Sequence, residues 1–416
     1  MTLEKYSLGI GDRFGKQGPA QLRALQLAEK KGVKIVPVWN KSYREHAIVG
    51  TLPADTRREA DDAVKACDWH ESYYVDADHI GLKTVDLFLD SSDFFTLDVA
   101  DFIGKAAEDR EIDSFVRSMG KFRGELRVPG IEAAILVTDE HLYTIARKYL
   151  LAIKEAGKIY RHVACKKGGD GFVPEISTDE AYEAQSPADL FFILAAIAEE
   201  QIPIQTIAPK FTGKFLKGID YVGTVDRFAR EFEDDVLVIA HAVNTFALPK
   251  NLKLSVHSGS DKFALYPVMH RAISKHKAGL HLKTAGTTWL EELAGFAKSG
   301  GEGLRIAKEI YAEAYDRIDE LCKPYETVIE IDRSKLPDPA TLRTWKSEEF
   351  VEALCHFQSN PRYNLHFRQL LHVSYKVAAE MGDRYLQTVQ QSREVISSGV
   401  TENLFQRHIL PLFLGS

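Results

Sequence analysis

The sequence predicts an α/β protein of the (βα)8, TIM-like barrel class, with an inserted segment after the fourth strand and a helical C-terminal extension. Two observations support this fold class. Short strand-like runs alternate with helical patterns along most of the chain, and such alternation implies parallel strands joined by right-handed crossovers. The chain also holds eight or nine of these units, which favours a closed barrel over an open sheet.

The strands are short apolar runs, each bounded by polar or glycine-containing segments. They are predicted at Tyr6–Gly11, Val33–Trp39, Tyr73–Asp76, Phe94–Val99, Phe172–Ser177, Ile202–Ala208, Leu252–His257 and Gly279–Lys283. A ninth run, Glu326–Ile331, either closes the barrel or lies outside it. Between the strands, stretches such as Pro19–Lys31 and Ala188–Gln201 have apolar residues spaced by three and four, which predicts helices.

Two regions interrupt the alternation. Residues 1–346 are predicted to form the barrel, and they include an insertion at about 101–171 that contains a helical run at Asp139–Gly157. Residues 347–416 are predicted to form a helical extension that caps the barrel. Its helical runs are Glu348–Phe357, Leu365–Glu380, Asp383–Val395 and Glu402–Leu410.

The composition excludes several classes of protein. Hydrophobic residues make up 45% of the chain and charged residues 27%, which is typical of a globular protein with a large core. The net charge of −7 gives no basic footprint for nucleic acid and disfavours an anionic membrane as partner. No apolar run has the length of a membrane span, and the N-terminus lacks the apolar core of a signal peptide. The scattered cysteines predict a cytoplasmic protein with reduced thiols. The sequence does not set the oligomeric state, and a homo-oligomer is one possibility.

Three histidines stand where predicted strands end, namely His79, His257 and His281. In βα barrels the chemistry collects where strands end and loops begin. A neutral imidazole is also the commonest metal ligand in proteins. A single histidine of this kind would be uninformative, because a buried, hydrogen-bonded core residue is the more common case. Three of them, with Asp78, Glu175 and Asp261 as candidate neighbours, favour a metal-assisted enzyme.

Carboxylates accompany two of these strands. Asp76 and Asp78 share one strand face by the period of two, and His79 turns with the loop. A metal next to a carboxylate base is a useful pairing, because the cation acidifies the hydroxyl that the base deprotonates. A helix-capping carboxylate is the alternative. Glu175 and Asp179 also share a face, although Asp179 equally fits a solvated loop.

Basic residues in the loops are candidates for binding an anionic substrate. The loop Gly9–Gly15 contains Asp12 and Arg13, and the planar guanidinium binds both oxygens of a carboxylate. The alternative is a structural ion pair within a tight turn. Lys217 is placed to reach an anion, although a surface lysine is the default interpretation. Lys283 precedes a predicted helix start, whose backbone N–H groups attract anions.

Further substrate-binding candidates come from two polar segments. The densest polar cluster of the chain contains Ser258, Ser260 and Asp261 directly after His257. Near the C-terminus, Arg368 and His372 lie four residues apart on one helix face. They either point into the barrel mouth or form a polar stripe.

The order of these motifs resembles the tagaturonate epimerase family, metal-dependent barrel enzymes that interconvert D-tagaturonate and D-fructuronate. The matching segments are Gly9–Gly15, Asp76–His79, Glu175–Glu180, Lys217–Tyr221, Ser255–Phe263, His281–Thr287 and Arg368–Tyr375. The resemblance implies that Asp78 is the proton acceptor and Glu175 the proton donor. It further implies that His79 and His257 bind the metal, and that Lys217 contacts the substrate.

The sequence therefore predicts a metal-dependent sugar-acid epimerase that binds one divalent cation. Glu175, and His281 or His372, are expected to complete the metal shell of His79 and His257, and Zn²⁺, Mn²⁺, Ni²⁺ or Fe²⁺ would fit such ligands alike. The inverted carbon of tagaturonate is β to the ketone, so enolisation does not invert it and a retro-aldol route does. Two alternatives remain: a class II-type aldolase, and a sugar-acid-binding barrel without catalysis.

Overall fold

The centre of the fold is a closed barrel of eight parallel strands, seen in a computed structural model that describes residues 1–415. The barrel strands are β1 (Tyr6–Ile10), β2 (Val36–Ser42), β3 (Tyr74–Ile80), β4 (Phe94–Asp98), β7 (Val173–Ser177), β8 (Thr206–Ala208), β9 (Lys253–His257) and β10 (Leu280–Lys283). Strands β5 (Gly124–Leu126) and β6 (Ile135–Val137) form a separate antiparallel hairpin. Strand β1 pairs with both β2 and β10, and this closes the barrel.

Helices follow most barrel strands and continue to the C-terminus. They are α1 (Gly18–Lys30), α2 (Tyr43–Val49), α3 (Pro53–Ala66), α4 (Asp109–Met119), α5 (Asp139–Lys167), α6 (Pro187–Glu199), α7 (Val225–Phe246), α8 (Tyr266–Lys275), α9 (Gly286–Ser299), α10 (Gly301–Asp316), α11 (Ile318–Cys322), α12 (Pro339–Arg343), α13 (Ser347–Leu354), α14 (Leu365–Val373), α15 (Tyr375–Glu380), α16 (Asp383–Gln391) and α17 (Arg393–Glu402). Residues Asn403–Leu414 form a π-helical segment. Among residues 1–415, no helix is long and apolar enough to cross a membrane.

The predicted barrel is confirmed, and all eight predicted strands take part in it. The ninth run, Glu326–Ile331, lies outside the barrel and forms no strand. The N–H of Glu330 donates to the side chain of Gln369 at 2.9 Å, and the Gln369 amide returns a 2.9 Å bond to the Glu330 carbonyl. The Val328 carbonyl accepts from the N–H of Lys217 at 2.8 Å. These bonds satisfy the backbone without a neighbouring strand.

The segment between β4 and β7 contains α4, the β5–β6 hairpin and the long helix α5, as the predicted insertion requires. Helix α5 runs ten residues beyond the predicted Gly157, to Lys167. Thr138 caps its start by accepting from the N–H of His141 at 3.1 Å. The C-terminal helices confirm the predicted helical extension, although the predicted helix Leu365–Glu380 is divided at Ser374. The domain division at residue 346 stays a prediction.

The inside of the barrel changes from apolar to polar along the strands. An apolar cluster fills the N-terminal end, and its members are Leu3, Val36, Val38, Tyr74, Phe94 and Val173. The next inward positions of β3, β4 and β7 are Asp76, Thr96 and Glu175, which are 0–1% exposed. Polar groups in such an interior need hydrogen-bond partners. The sequence thus concentrates its polar groups at the C-terminal ends of the strands.

Helices of the C-terminal region pack on the outside of the barrel and also reach its mouth. Helix α17 packs against α1 and α9, and α13 packs against α9. In contrast, α14 brings His372 against Gly286 at the start of α9. Tyr375, at the start of α15, lies under the guanidinium of Arg13. The predicted cap therefore contributes side chains to the mouth of the barrel.

Candidate metal centre and active site

A bulge at the end of β3 turns two consecutive side chains into the barrel. The pairing of β3 with β4 shifts register between Ala77 and Ile80, and His79 adopts the left-handed conformation with φ of 53°. In a regular strand Asp78 and His79 would face opposite sides. Here the Nδ1 of His79 lies 2.9 Å from Oδ1 of Asp78, and both face the site.

His79, Asp179 and His257 form a group that can hold a metal ion, because one ligand atom of each lies within 4.8 Å of the others. Nε2 of His79 lies 3.6 Å from Oδ1 of Asp179, and Nδ1 of His257 lies 3.3 Å from its Oδ2. The buried Nδ1 of His257 makes no hydrogen bond. Two imidazoles and one carboxylate suit a divalent transition metal and leave coordination positions open for a substrate.

A carboxylate holds each imidazole by its other ring nitrogen. Asp78 contacts Nδ1 of His79, and Glu175 contacts Nε2 of His257 at 2.9 Å. Metal-binding histidines typically make such a bond, which fixes the ring and raises its basicity. The donor set and these contacts fit a metal bound by His79, Asp179 and His257.

The ammonium of Lys283 joins the carboxylates below this group. Its Nζ lies 2.8 Å from Asp76, 2.9 Å from Asp78 and 2.9 Å from Glu175. Burial alone would lower the pKa of Lys283, but the three carboxylates hold that pKa well above its ordinary value. Burial opposes ionisation of Asp78 and Glu175 as well. The neighbouring cations nevertheless hold the pKa of both groups well below the ordinary range, with His79 the main cause for Asp78 and Lys283 for Glu175.

Asp76 differs from its two neighbours. Burial raises the pKa of its carboxyl group to about 7, although Lys283 opposes the shift. Both of its oxygens accept from the Thr96 hydroxyl at 3.0 Å. This residue was not singled out as a site residue from the sequence, where only its shared face with Asp78 pointed to it.

Besides the candidate metal group, the barrel mouth carries a cationic cluster that contains Arg13 and Lys217. Arg13 pairs with Glu45, its guanidinium lies 4.7 Å above the Tyr375 ring, and its buried Nε makes no hydrogen bond. Burial and then the charge of Arg13 lower the pKa of Lys217. Burial lowers the pKa of His372 well below its ordinary value, and the charges of Lys217 and Arg13 lower it further. The site thus combines a candidate metal-binding group with a cationic barrel mouth that can attract an anion.

A model of the tagaturonate epimerase family matches residues 1–409. The chain belongs to the tagaturonate epimerase family. This confirms the resemblance in the sequence, and it makes the chain an isomerase of the epimerase type.

Relatives and solved structures agree with the family assignment. The chain is similar to the tagaturonate/fructuronate epimerase of Thermotoga maritima, with 28% identity over 97% of this chain and 80% of the relative. Two crystal structures of fructuronate-tagaturonate epimerase from Cohnella laeviribosi share the fold. One has a TM-score of 0.81 at 24% identity over 99% of this chain and 82% of that one. The other has a TM-score of 0.78 at 23% identity over 98% and 82%.

Several of the predicted site residues of this family member are engaged in holding loops. Asp12 accepts hydrogen bonds from the backbone N–H groups of residues 14–17, its own loop. Ser258 donates to the Lys283 carbonyl at 2.7 Å, and Ser260 accepts from the N–H of Gly218 at 2.9 Å. Their side chains therefore fix backbone at the barrel mouth.

Asp261 and Arg368 form an enclosed ion pair at 2.5 Å, and both side chains are 0–1% exposed. This pair joins the barrel to α14. Neither side chain belongs to the candidate metal group. His281 lies two residues before Lys283 on β10, and its Nδ1 contacts the Ser7 hydroxyl at 2.9 Å. It is not part of the group formed by His79, Asp179 and His257. Its buried Nε2 makes no hydrogen bond.

Asp179 is the carboxylate of this candidate metal group, and the sequence left it between two interpretations. It follows β7 in a loop, and it shares the face of Glu175 only if the strand period continues past Ser177. The hydroxyl of Ser177 donates to Asp179 and holds it toward the histidines. The shared period was the available signal, but a loop need not keep it.

Proposed function

We propose that the chain is a metal-dependent epimerase that interconverts D-tagaturonate and D-fructuronate at this site. The observation that carries the proposal is the group of His79, Asp179 and His257, with Asp78 and Glu175 bonded to the two imidazoles. The family assignment supports the substrate. A bound divalent cation would supply Lewis acidity that stabilises negative charge on the substrate oxygens.

The chemistry follows from the position of the inverted carbon, which is β to the ketone. Asp78 takes the proton of the hydroxyl on that carbon, the adjacent C–C bond breaks, and an aldehyde and an enediolate form. The aldehyde rotates and the bond forms again on its other face. The proton on Asp78 passes through the ammonium of Lys283 to Glu175, and Glu175 gives it to the new alkoxide. Lys283 donates a hydrogen bond to Asp78 and forms an ion pair with Glu175, both at 2.9 Å, which supports proton exchange between the two carboxylates.

The cationic mouth supports binding of the substrate carboxylate. We assign this contact to Arg13 and Lys217. The two cations lie near each other, and Arg13 is paired with the carboxylate of Glu45, so one positive charge remains for the substrate. A planar guanidinium binds a carboxylate through two hydrogen bonds. His372 adds a neutral donor or acceptor at the same place, and Asp261 with Arg368 positions the surrounding loops.

In this proposal His79, Asp179 and His257 bind the metal. Glu175 is not a metal ligand, and it contacts Nε2 of His257 instead. Ser258, Ser260 and Asp12 position the loops that carry Lys283, Lys217 and Arg13. We also propose a cytoplasmic location, because all four cysteines are free thiols and reducing compartments maintain thiols.

The test combines elemental analysis with an epimerisation assay. The full chain is stripped with a chelator, reloaded with one divalent metal at a time, and mixed with tagaturonate. We expect fructuronate to appear by NMR only in the reloaded samples, with about one metal per chain. Accumulation of a free three-carbon aldehyde would show an aldolase instead. If tagaturonate raises the Tm of the chain but no reloaded metal gives turnover, the chain is a binding protein.

A further inference from the structure

The loop that presents Lys217 is fixed by a second lysine that the sequence did not single out. Lys262 is 0% exposed, and its Nζ donates to the carbonyls of Leu216 at 3.0 Å and Ile219 at 2.8 Å. Its other oxygen neighbours are the Ser260 hydroxyl and the Asp261 carbonyl, both at 3.3 Å. The ammonium thus binds backbone on both sides of Lys217.

The residue between these carbonyls is also held. The N–H of Gly218 donates to Ser260 at 2.9 Å, and the Gly218 carbonyl accepts from the guanidinium of Arg368. Gly218 has φ of 77°, and a Cβ there would lie 3.2 Å from His372 Cβ. The backbone beside Lys217 therefore has one arrangement, while the Lys217 side chain extends over Gly259 toward the mouth.

We propose that Lys262 is a positioning residue, which holds the backbone around Lys217 so that the Lys217 ammonium meets the substrate carboxylate. The inference rests on the proposed function, in which Lys217 binds that carboxylate. Lys262 does not touch the substrate itself, because it is enclosed among protein oxygens. Its loss leaves two carbonyl groups of the loop without a donor, so the loop rearranges to find other partners.

The chain offers a matched control at the opposite end of the barrel. Lys253 is 3% exposed, and its Nζ donates to the carbonyls of Leu3 at 3.3 Å and Glu4 at 2.7 Å. Burial lowers the pKa of both Lys253 and Lys262 to about 7. The two lysines therefore share burial and carbonyl partners, and they differ in their distance from the mouth.

The experiment measures kcat and KM for tagaturonate in the metal-loaded full chain. Lys217→Met should raise KM by roughly 10–100-fold, which is the loss of a charged hydrogen bond. Lys262→Met should raise KM at least about fivefold with a smaller change in kcat, and Lys253→Met should leave KM within about twofold. Adding Lys262→Met to Lys217→Met should raise KM no further, because the first residue acts through the second.

The outcomes separate the two proposals. An unchanged KM in Lys217→Met would overturn the proposed carboxylate contact. A raised KM in Lys217→Met, with equal KM values in Lys262→Met and Lys253→Met, would overturn the positioning role alone. Lys262→Gln keeps two donors and should give a KM between the wild type and Lys262→Met. If Lys262→Met does not fold, Lys262→Gln replaces it in the same comparison, and a wild-type KM there would overturn the proposal.

Discussion

Asp78→Asn should weaken metal binding and turnover by two separable routes. Oδ1 of Asp78 lies 2.9 Å from Nδ1 of His79 and 2.9 Å from Nζ of Lys283. Asparagine keeps one oxygen for these donors but cannot accept a proton from the substrate. Loss of a partner behind a metal ligand typically costs about 10–100-fold in metal affinity. Because the amide oxygen can still accept from His79, we expect roughly tenfold, near the lower end.

The second route is the proton transfer itself. A general base contributes about 10²–10⁴ to the rate, so kcat of Asp78→Asn should stay at least ~10² below the wild type even with the metal in excess. The assay is a metal titration followed by kcat at saturating metal, with metal content measured by elemental analysis. Full recovery of kcat at saturating metal would refute the base assignment and leave Asp78 acting through His79 alone.

Asp76→Asn is the matched control for this experiment. Asp76 shares the Lys283 ammonium at 2.8 Å and bonds to Thr96, but it has no hydrogen bond to His79. Its variant should therefore leave the metal affinity within a few-fold of the wild type. A loss of metal affinity equal to that of Asp78→Asn would mean that the Lys283 cluster, and not the contact with His79, sets the affinity.

The remaining predictions concern the metal, the pH dependence and the close packing of the mouth. Asp179→Ala removes the one carboxylate of the candidate metal group, so metal content and activity should fall together; a fully loaded variant would exclude Asp179 as a ligand. Burial raises the pKa of Glu292 from 4.5 to about 8, so its protonated form stabilises the fold at low pH and this contribution is lost as the pH rises through about 8. The Tm of Glu292→Gln relative to the wild type should therefore rise between pH 5 and about 8, and parallel Tm curves would contradict the shift. Gly286→Ala places a Cβ 2.1 Å from the Gly259 carbonyl, so it should cost roughly 1–3 kcal/mol by chemical denaturation. Gly169→Ala, where a Cβ meets its nearest atom at 3.5 Å, should cost less, and equal losses would count against the contact.

The barrel strands could be predicted because their apolar runs are local signals. Glu326–Ile331 carries the same kind of run, but its backbone is satisfied by Gln369 and by the Lys217 loop. That choice of partner depends on residues about 40 and 110 positions away, which a local pattern does not contain. The predicted helix is also divided at Ser374, and the residues on both sides of the division, His372 and Tyr375, contact residues of the barrel mouth.

Strand-end positions found two of the residues of the candidate metal group, His79 and His257, whereas pairings over long separations could not be predicted. Asp261 and Arg368 are 107 residues apart in sequence and meet only when α14 packs against the barrel. Considered one at a time in the sequence, Asp261 in a loop and Arg368 on a helix each fit a residue that contacts the substrate. Together they neutralise each other in an enclosed place, so the sequence indicated the right segments but not the role of these two side chains.

The bulge at His79 shows why the end of β3 departs from the strand pattern. A left-handed conformation costs a residue with a Cβ roughly 1–2 kcal/mol, and His79 adopts it inside a barrel strand. Without the bulge, alternation would turn the imidazole of His79 away from Asp78 and into the layer of helices. With it, the base candidate and a metal ligand come from adjacent residues and bond to each other at 2.9 Å. The bulge therefore places the proposed base next to the candidate metal ligands.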